Sequence, residues 1–296
     1  MRTEGDTWDI VSSVGMTALG VAAARAIETK RPDALIHDEY AARFVVASGD
    51  SDMNRLITDP TLWAQIPFTS GFIGYRSKFF DDFFLSTAAP MPQAVILAAG
   101  LDARAYRLDW PAGEVVFEID QPKVLEFKRR VLTESGTAPR SDRREVAVDL
   151  RDDWPAALVQ AGFDPTSPTA WSAEGLLPYL PGSAHDALFA RIDQLSAPGS
   201  AVAAEIVGKG VDIGHIAEQE SAYLKDTPFG QVDLASLFYT DERTDPAESL
   251  AAHGWTTASL HLQELADRYD RPMAPVEEPL TQMFDSLRFL TAIKSS

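Results

Sequence analysis

Short apolar runs and helix-like stretches alternate along the chain from Pro92 onwards, and this alternation restricts the fold more than any other feature. The apolar runs are rich in β-branched residues, which favour strands. Strands with mostly apolar residues that alternate with helices are typical of a parallel sheet covered on both faces. The sequence therefore predicts an α/β fold with a mostly parallel, seven-stranded sheet. The predicted strands are 93–99, 114–119, 144–150, 169–174, 200–207, 254–260 and 287–294.

The first 90 residues differ from the rest, because their apolar residues recur at helical spacing. Helices are predicted over 16–29, over 32–47 with Pro32 at its start, and over 75–88. The last of these has a stripe of phenylalanines that is typical of a helix face turned towards a core. Between the predicted strands, helices are expected at 122–135, 152–162, 183–197 and 261–269.

One segment fits neither pattern. Residues 208–252 are polar and mixed, with several glycines, and they precede the last two predicted strands. We expect a single domain with a helical N-terminal region (1–90), a sheet core (91–207 and 254–296) and an insertion at 208–253. Because it would lie over the carboxyl ends of the strands, the insertion is predicted to act as a mobile lid.

Charge and cysteine content narrow the function classes. The formal net charge is −18, and an acidic surface repels nucleic acid and anionic lipid. The sequence has no cysteine, which excludes disulfides, thiolate zinc sites and a cysteine nucleophile. No apolar stretch is long enough for a membrane span, and the polar start "MRTEGDTWDI" lacks the apolar part of a secretion signal. We therefore expect a cytoplasmic protein with no nucleic-acid or membrane partner.

The stretch "VILAAGLDARAYRLDW" (95–110) joins the first predicted strand to a turn at Gly100. In open α/β sheets, ligands bind beyond the carboxyl ends of the strands. Asp120 ends the second predicted strand, twenty residues after Gly100, and an acid at this spacing typically binds ribose hydroxyls. The pair predicts a nucleoside site, although a plain strand–turn–helix with Asp120 facing solvent remains an alternative.

The loop sequence also bears on which nucleoside binds. A dinucleotide fingerprint has three glycines, whereas this chain has Ala98, Gly100 and Ala103 at those positions. The Asp102 carboxylate would repel a pyrophosphate, since like charges about 4 Å apart repel by several kcal/mol at intermediate dielectric. A cationic nucleoside without phosphate, such as S-adenosyl-L-methionine, fits better. The alternatives are a nicotinamide-dependent oxidoreductase and a non-catalytic nucleoside-binding protein.

Several motifs together resemble the leucine carboxyl methyltransferase-like family, most closely its actinobacterial branch of S-adenosyl-L-methionine-dependent methyltransferases. The motifs are "ILAAGLDARAYRL" (96–108), "FEIDQPKVLEFK" (117–128), "VAVDLRDDW" (146–154), "AEGLLPYLP" (173–181) and two longer matches at 13–29 and 238–255. The resemblance is colinear from about residue 10 to 293. It implies a class I methyltransferase (Rossmann-like) sheet with a helical N-terminal region, an insertion before the last two strands, and S-adenosyl-L-methionine as cofactor.

The resemblance implies roles for residues at matching positions. Arg76 would hold the carboxylate of the cofactor, and an arginine fork suits that task. Gly100 would lie under the methionine part, and Asp120 would bind the ribose hydroxyls. Asp149 and Leu150 would flank the adenine, with the Asp149 carboxylate near its amino group.

Glu174 would lie beside the amino group of the cofactor. Two positions depart from the family pattern, because Ala98 replaces a usual glycine and Ala103 a usual threonine. Three alternatives also stay open: Arg76 as a surface helix arginine, Asp149 as a helix N-cap, and Glu174 as the cap of a turn.

Methyl transfer from a sulfonium is an in-line displacement, so the protein mainly aligns the reactants and excludes water. We expect O-methyl transfer to a carboxylate or hydroxyl of a small or medium-sized acceptor. A carboxylate acceptor needs no base, whereas an alcohol or phenol does. His215, in the insertion, is the best candidate base, with an exposed histidine of no function as the alternative. No catalytic residue and no metal ligand is assigned, and the oligomeric state stays open.

Overall fold

A seven-stranded sheet forms the centre of the computed structural model, which describes residues 13–63, 67–208, 237–273 and 280–295. The strand order is β3-β2-β1-β4-β5-β7-β6. Only β7 runs antiparallel to its neighbours, and the other ladders are parallel. The predicted α/β fold with a mostly parallel sheet is therefore confirmed. The strands are β1 (Gln93–Leu97), β2 (Val115–Asp120), β3 (Asp142–Ala147), β4 (Thr169–Ala173), β5 (Ala201–Val207), β6 (Trp255–His261) and β7 (Leu287–Lys294).

Helices cover both faces of this sheet. The described helices are α1 (Ser13–Thr29), α2 (Ala41–Ser48), α3 (Ser51–Thr58), α4 (Pro60–Trp63), α5 (Pro67–Thr87), α6 (Arg104–Arg107), α7 (Pro122–Glu134), α8 (Trp154–Gln160), α9 (Gly182–Leu195), α10 (Pro246–Ala252), α11 (Leu262–Arg268) and α12 (Leu280–Ser286). None of the described helices is long and apolar enough to cross a membrane. The predicted helices at 16–29, 122–135, 152–162, 183–197 and 261–269 are confirmed within three residues at each end, and α5 begins at Pro67, eight residues before its predicted start. The helices α3, α4, α6, α10 and α12 were not predicted.

One predicted helix was wrong over much of its length. The sequence indicated a helix over 32–47, but residues 32–40 form turns and loop, and α2 begins only at Ala41. The cause is Asp38, whose carboxylate accepts the backbone N–H groups of Tyr40 and Ala41, each at 3.1 Å. The same carboxylate pairs with Arg25 of α1 at 2.8 Å. A side chain held in this way competes with helical hydrogen bonds, so the helix starts after it.

The N-terminal helices pack directly on one face of the sheet. The phenylalanines of α5 lie in one core cluster with β1 residues such as Ala94 and Ile96, while Val95 and Leu97 enter the cluster on the other face. This alternation follows from the two-residue period of a strand. The helical N-terminal region therefore shares a core with the sheet. The phenylalanines in question are Phe79, Phe80, Phe83 and Phe84.

The predicted insertion lies between β5 and β6. Its later part includes α10, which is held at its start by the Asp245 carboxylate accepting the N–H of Ala247 at 2.9 Å. Residues 209–236, which include His215, lie outside the described residues. The mobile lid and the base role of His215 therefore stay predictions.

A buried ion pair next to α5 links α1, near the start of the chain, to the segment that follows α11. Glu28 of α1 is fully buried and accepts a hydrogen bond from Arg271 Nη1 at 2.5 Å. Arg271 Nη2 also donates to the carbonyl oxygen of Gly71 at 2.9 Å, and its backbone carbonyl accepts the hydroxyl of Tyr75 at 2.6 Å. The pair fits only because Gly74 has no side chain. A Cβ there would lie 2.6 Å from Glu28 Cδ and would also collide with the guanidinium of Arg271.

We expect Gly74→Ala to destabilise the protein by about 1–3 kcal/mol, since the added methyl group would displace a buried ion pair. Gly71→Ala is a matched control in the same helix, because a Cβ there meets nothing within 4 Å. That control should be neutral or stabilised by up to about 1 kcal/mol through helix propensity. Urea unfolding measures both, and equal stability of the two variants would contradict the packing argument.

Candidate functional site

A cavity of about 360 Å³ opens at the carboxyl ends of β1, β2, β4 and β5. Its volume is in the range of small-molecule sites. Residues of α1 and α5 form part of its wall, so the helical N-terminal region belongs to the site. All six residues singled out in the sequence line this one cavity: Arg76, Gly100, Asp120, Asp149, Leu150 and Glu174.

The loop after β1 forms the floor of the cavity next to β2. Gly100 has φ +47°, a left-handed conformation that glycine adopts without steric cost. Its N–H donates to Asp120 Oδ2 at 2.6 Å, and the N–H of Gln121 donates to Oδ1 at the same distance. Ala98, where the family usually has glycine, also has a positive φ of +50°. A positive φ strains the backbone at an alanine, and a glycine at this position would avoid that strain.

Asp120 is half-buried and lies between these two donors. Burial raises the pKa of its carboxyl to about 6, although the N–H groups of Gly100 and Gln121 favour the charged form. Ionising Asp120 therefore lowers the stability of the free folded protein as the pH rises from about 4 to about 6. A ligand that donates hydrogen bonds to this carboxylate would offset that cost. The alternative of an Asp120 facing open solvent was wrong.

Asp149 follows β3 at the next edge of the cavity. Its carboxylate accepts from the guanidinium of Arg151, with Oδ2 to Nη2 at 2.7 Å, and from Gln121 Nε2 at 2.9 Å. Burial alone would raise its pKa, but the hydrogen bonds from Arg151 outweigh burial and lower it. Asp149 is not a helix N-cap, because Asp153 caps α8 by accepting the N–H of Ala156. Leu150 lines the cavity beside it.

At the other end of the cavity, buried arginines and carboxylates form a connected network. Arg76 of α5 donates from Nε to Glu174 Oε1 at 3.0 Å and from Nη1 to Glu205 Oε2 at 3.4 Å. Arg104 donates from Nη1 to Glu174 Oε2 at 2.7 Å and from Nε to Asp81 at 2.7 Å. Both oxygens of Glu174 therefore bind guanidinium groups. The proposals of a surface Arg76 and a turn-capping Glu174 were wrong.

Asp102 lines the cavity, but its carboxylate pairs with Arg104, which partly offsets the negative charge that the sequence predicted at this loop. Burial would raise the pKa of Asp102, yet the charge of Arg104 lowers it to about 2. The network as a whole nevertheless has an excess of negative charge. It contains one more carboxylate than guanidinium groups: Asp81, Asp102, Glu174 and Glu205 against Arg76, Arg104 and Arg107.

Sequence reasoning missed several residues of the site. Glu205 lines the cavity from β5, and its signal was a single charged residue in the otherwise apolar run "AVAAEIV". Arg104 holds the network together, and although it lies within the quoted stretch 96–108, no role was predicted for it. Arg25 of α1 also lines the cavity and donates to the carbonyl oxygen of Leu101 at 2.7 Å. No sequence pattern indicated that α1 would reach this loop.

The wall beyond β5 is apolar. Val207 ends β5 and pairs in register with Leu287 of β7, and both line the cavity together with Met283. The rings of Tyr179 and Phe238 also line the cavity and meet edge to face, with centroids 5.2 Å apart. Within the described ranges, no group of three or more histidines and carboxylates is arranged to hold a metal ion.

Comparison with known proteins identifies close relatives over the full length. Residues 18–193 match the leucine carboxyl methyltransferase family. A Rhodococcus jostii protein, described as a candidate S-adenosyl-L-methionine-dependent methyltransferase, is 58% identical over 295 residues, covering 99% of this chain and 100% of the relative. A Mycobacteroides abscessus protein with the same description is 53% identical over 298 residues, covering 100% of this chain and 97% of the relative.

Among solved structures, a protein of the DUF574 family from Streptomyces avermitilis has a similar fold. The TM-score is 0.52 at 13% sequence identity, with 93% of this chain and 96% of that chain covered. A likeness at this level of identity concerns the fold alone.

The buried network predicts a large effect of removing one cation. Arg104→Met should destabilise the protein by about 3–5 kcal/mol, because it leaves Asp102 without its ion-pair partner and removes one of the two guanidinium partners of Glu174 and of Asp81. Arg140→Met is the matched control, since Arg140 pairs with Asp109 at the exposed surface and should cost at most about 1 kcal/mol. Chemical denaturation measures both. A loss for Arg104→Met no larger than for Arg140→Met would show that the network does not stabilise the fold.

Proposed function

This chain belongs to the leucine carboxyl methyltransferase family and is an S-adenosyl-L-methionine-dependent methyltransferase, and from this premise we propose that it transfers the methyl group to an oxygen atom of a small or medium-sized acceptor. Its sheet is that of a class I methyltransferase. In this fold, the cofactor is expected at the carboxyl ends of β1 and β2, where the cavity lies. The acceptor oxygen would belong to a carboxylate or a hydroxyl group.

One observation supports the cofactor assignment: the two ends of the cavity offer groups that suit the ribose and the amino acid part of S-adenosyl-L-methionine. Next to β2, the Asp120 carboxylate is a strong acceptor for two ribose hydroxyls. Near β4, the Arg76 guanidinium lies between the carboxylates of Glu174 and Glu205. Groups of both signs at that end complement an amino acid zwitterion, which has an ammonium and a carboxylate.

Each remaining residue receives its role from this placement. Arg76 would bind the carboxylate of the methionine part, and Glu174 would accept from its ammonium group. Gly100 would let the cofactor approach the backbone closely, since no side chain projects from it. Asp149 and Leu150 would flank the adenine at the end of β3.

Oxygen as the receiving atom is supported by the family, whose name refers to a carboxyl group. The transfer itself requires alignment of the acceptor with the methyl–sulfur bond and exclusion of water. The apolar wall beyond β5 suits both tasks for an acceptor with an apolar body. A nicotinamide dinucleotide fits less well, because its pyrophosphate would meet the carboxylates that surround the loop after β1. A nucleoside-binding protein without catalytic activity would bind S-adenosyl-L-methionine but would transfer no methyl group. An assay of methyl transfer therefore distinguishes it from the proposed enzyme.

Removing the proposed ribose acceptor tests the cofactor site. We expect Asp120→Ala to lose about 1.5–3 kcal/mol for each charge-assisted hydrogen bond, and hence at least about tenfold in affinity for S-adenosylhomocysteine. Calorimetry measures this, and Asp109→Ala, at an exposed position, is the matched control. NAD should give no heat of binding to the wild type. Unchanged affinity in a folded Asp120→Ala variant would remove Asp120 from the site, and tight NAD binding would overturn the proposal.

The raised pKa of Asp120 also predicts a pH dependence. Protonation near pH 6 removes the charge that the ribose hydroxyls would bind, so affinity for S-adenosylhomocysteine should fall as the pH decreases from about 7 to 5. If only the charged form binds, the decrease approaches about tenfold per pH unit below the pKa. Asp120→Asn should bind weakly and without this pH dependence. Identical pH profiles of the wild type and Asp120→Asn would assign the titration to another group.

A further inference from the structure

Glu205 is a carboxylate of the cavity to which the proposed cofactor contacts assign no role of its own. It lines the cavity from β5, with its side chain 12% exposed. Its Oε2 accepts the N–H of Gly175 at 3.0 Å and Arg76 Nη1 at 3.4 Å. In the part of the chain that the structure describes, no donor reaches the second oxygen, Oε1. That oxygen is therefore available to a ligand in the cavity.

The strand order indicates which ligand Glu205 would meet. The sequence of neighbours is β2, β1, β4 and β5, with about 4.8 Å between adjacent strands. If the ribose binds at β2 and the methionine part lies across β1 and β4, then β5 is the next strand beyond the methionine part. An acceptor must approach the methyl group from outside the cofactor. The end of β5 offers that approach, and this argument rests on the function proposed above.

The surroundings of Glu205 select among acceptors. The neighbouring wall is apolar, formed by Val207, Leu287 and Met283. A carboxylate acceptor would be repelled by Glu205, and Arg76 would already be shared among Glu174, Glu205 and the methionine carboxylate, so it would offset this repulsion only in part. An aliphatic amine would be held as an ammonium ion, which has no lone pair for attack. A neutral hydroxyl group, by contrast, can donate a hydrogen bond to Oε1.

We propose that Glu205 is the general base for methyl transfer to the hydroxyl group of an apolar, phenol-like acceptor. The hydroxyl proton moves to Oε1, and a lone pair of the oxygen forms the new bond to the methyl carbon. The carbon–sulfur bond breaks with its electron pair staying on sulfur, which gives neutral S-adenosylhomocysteine and a methyl ether. The proton then leaves Glu205 to solvent. A phenol is favoured over an alcohol because its lower pKa makes transfer to a carboxylate less unfavourable.

The charged groups around Glu205 agree with this role. Burial raises the pKa of its carboxyl, and Glu174 at the end of β4 acts in the same direction. Arg76 of α5 and the N–H of Gly175 oppose the shift. A base with a raised pKa takes up a proton more readily, and it acts only when ionised. The transfer rate should therefore increase as the pH rises through this pKa.

The first experiment tests the acceptor class with the full-length protein and S-adenosyl-L-methionine. The probes are 4-alkylphenols with chains of two to eight carbons, the matching 4-alkylbenzoic acids and the matching 4-alkylanilines, with products identified by mass spectrometry. Methyl ethers from the phenols are expected. Methyl esters from the benzoic acids alone would overturn the role of Glu205 and leave O-methyl transfer intact. Methylation of the anilines alone would overturn both, and a series without any methylated phenol would overturn this inference.

The second experiment uses the best phenol probe with variants. Glu205→Gln should lower kcat by about 100-fold or more, the usual range for loss of a general base, and abolish the increase of kcat with pH. Affinity for S-adenosylhomocysteine should stay within about threefold of the wild type. Glu114→Gln is the matched control, because Glu114 is also buried, with its pKa raised to about 7, yet precedes β2 at the opposite end of the sheet. It should leave kcat unchanged.

A ring-fluorinated phenol of the same length separates base catalysis from a structural effect. Its hydroxyl group ionises near neutral pH and needs no base, so Glu205→Gln should lose less than about tenfold with it. Should Glu205→Gln not fold, Glu205→Asp is used, and the same difference between the two phenols is expected. Equal losses with both phenols, or an unchanged kcat with weakened cofactor binding, would overturn the assignment of Glu205 as the base.

Discussion

The site depends above all on two guanidinium groups that share the carboxylate of Glu174. Arg76 reaches it from α5 and Arg104 from the short helix after β1, and Arg104 also binds Asp81 one turn further along α5. Buried ions are tolerated only when they are paired, so none of these side chains can move independently. The network thereby fixes α5 against the ends of β1 and β4. A helical region outside the sheet becomes one wall of the cavity for this reason.

The opposite end of the cavity is fixed by backbone groups instead of arginines. Asp120 is held by the N–H groups of Gly100 and Gln121, and the turn that presents the first of these requires positive φ at both Ala98 and Gly100. This arrangement strains the backbone at Ala98, and burial raises the pKa of the Asp120 carboxyl. Both are common at binding sites, where a bound ligand offsets the cost.

The two ends of the cavity offer different charged groups to a ligand, and these groups differ in how they are protonated and paired. Asp120 is charged or neutral depending on pH near 6, whereas Asp102 stays ionised because Arg104 is beside it. Glu205 belongs to neither case, since only one of its oxygens is bound by the network. The cavity combines groups of both signs, which we propose bind a zwitterion, with an apolar wall and one partly free carboxylate. These are the groups that the proposed transfer to a neutral hydroxyl requires.

The sequence by itself determined the strands, most of the helices and the edge of the sheet at which the cavity opens, because period and turn residues are local properties. Gly100 and Asp120 were found from their spacing, while Arg76, Asp149, Leu150 and Glu174 came from the family resemblance, and all of them line the cavity. Only the tertiary structure decided that Asp38 delays α2, that Arg104 neutralises Asp102, and that Glu205 faces the cavity. The contacts of Asp38 with Ala41 and of Arg104 with Asp102 are local, but Asp38 is held by Arg25 of α1, and Arg104 by Asp81 and Glu174, all distant in sequence. Such partners are set by packing, which no local pattern records.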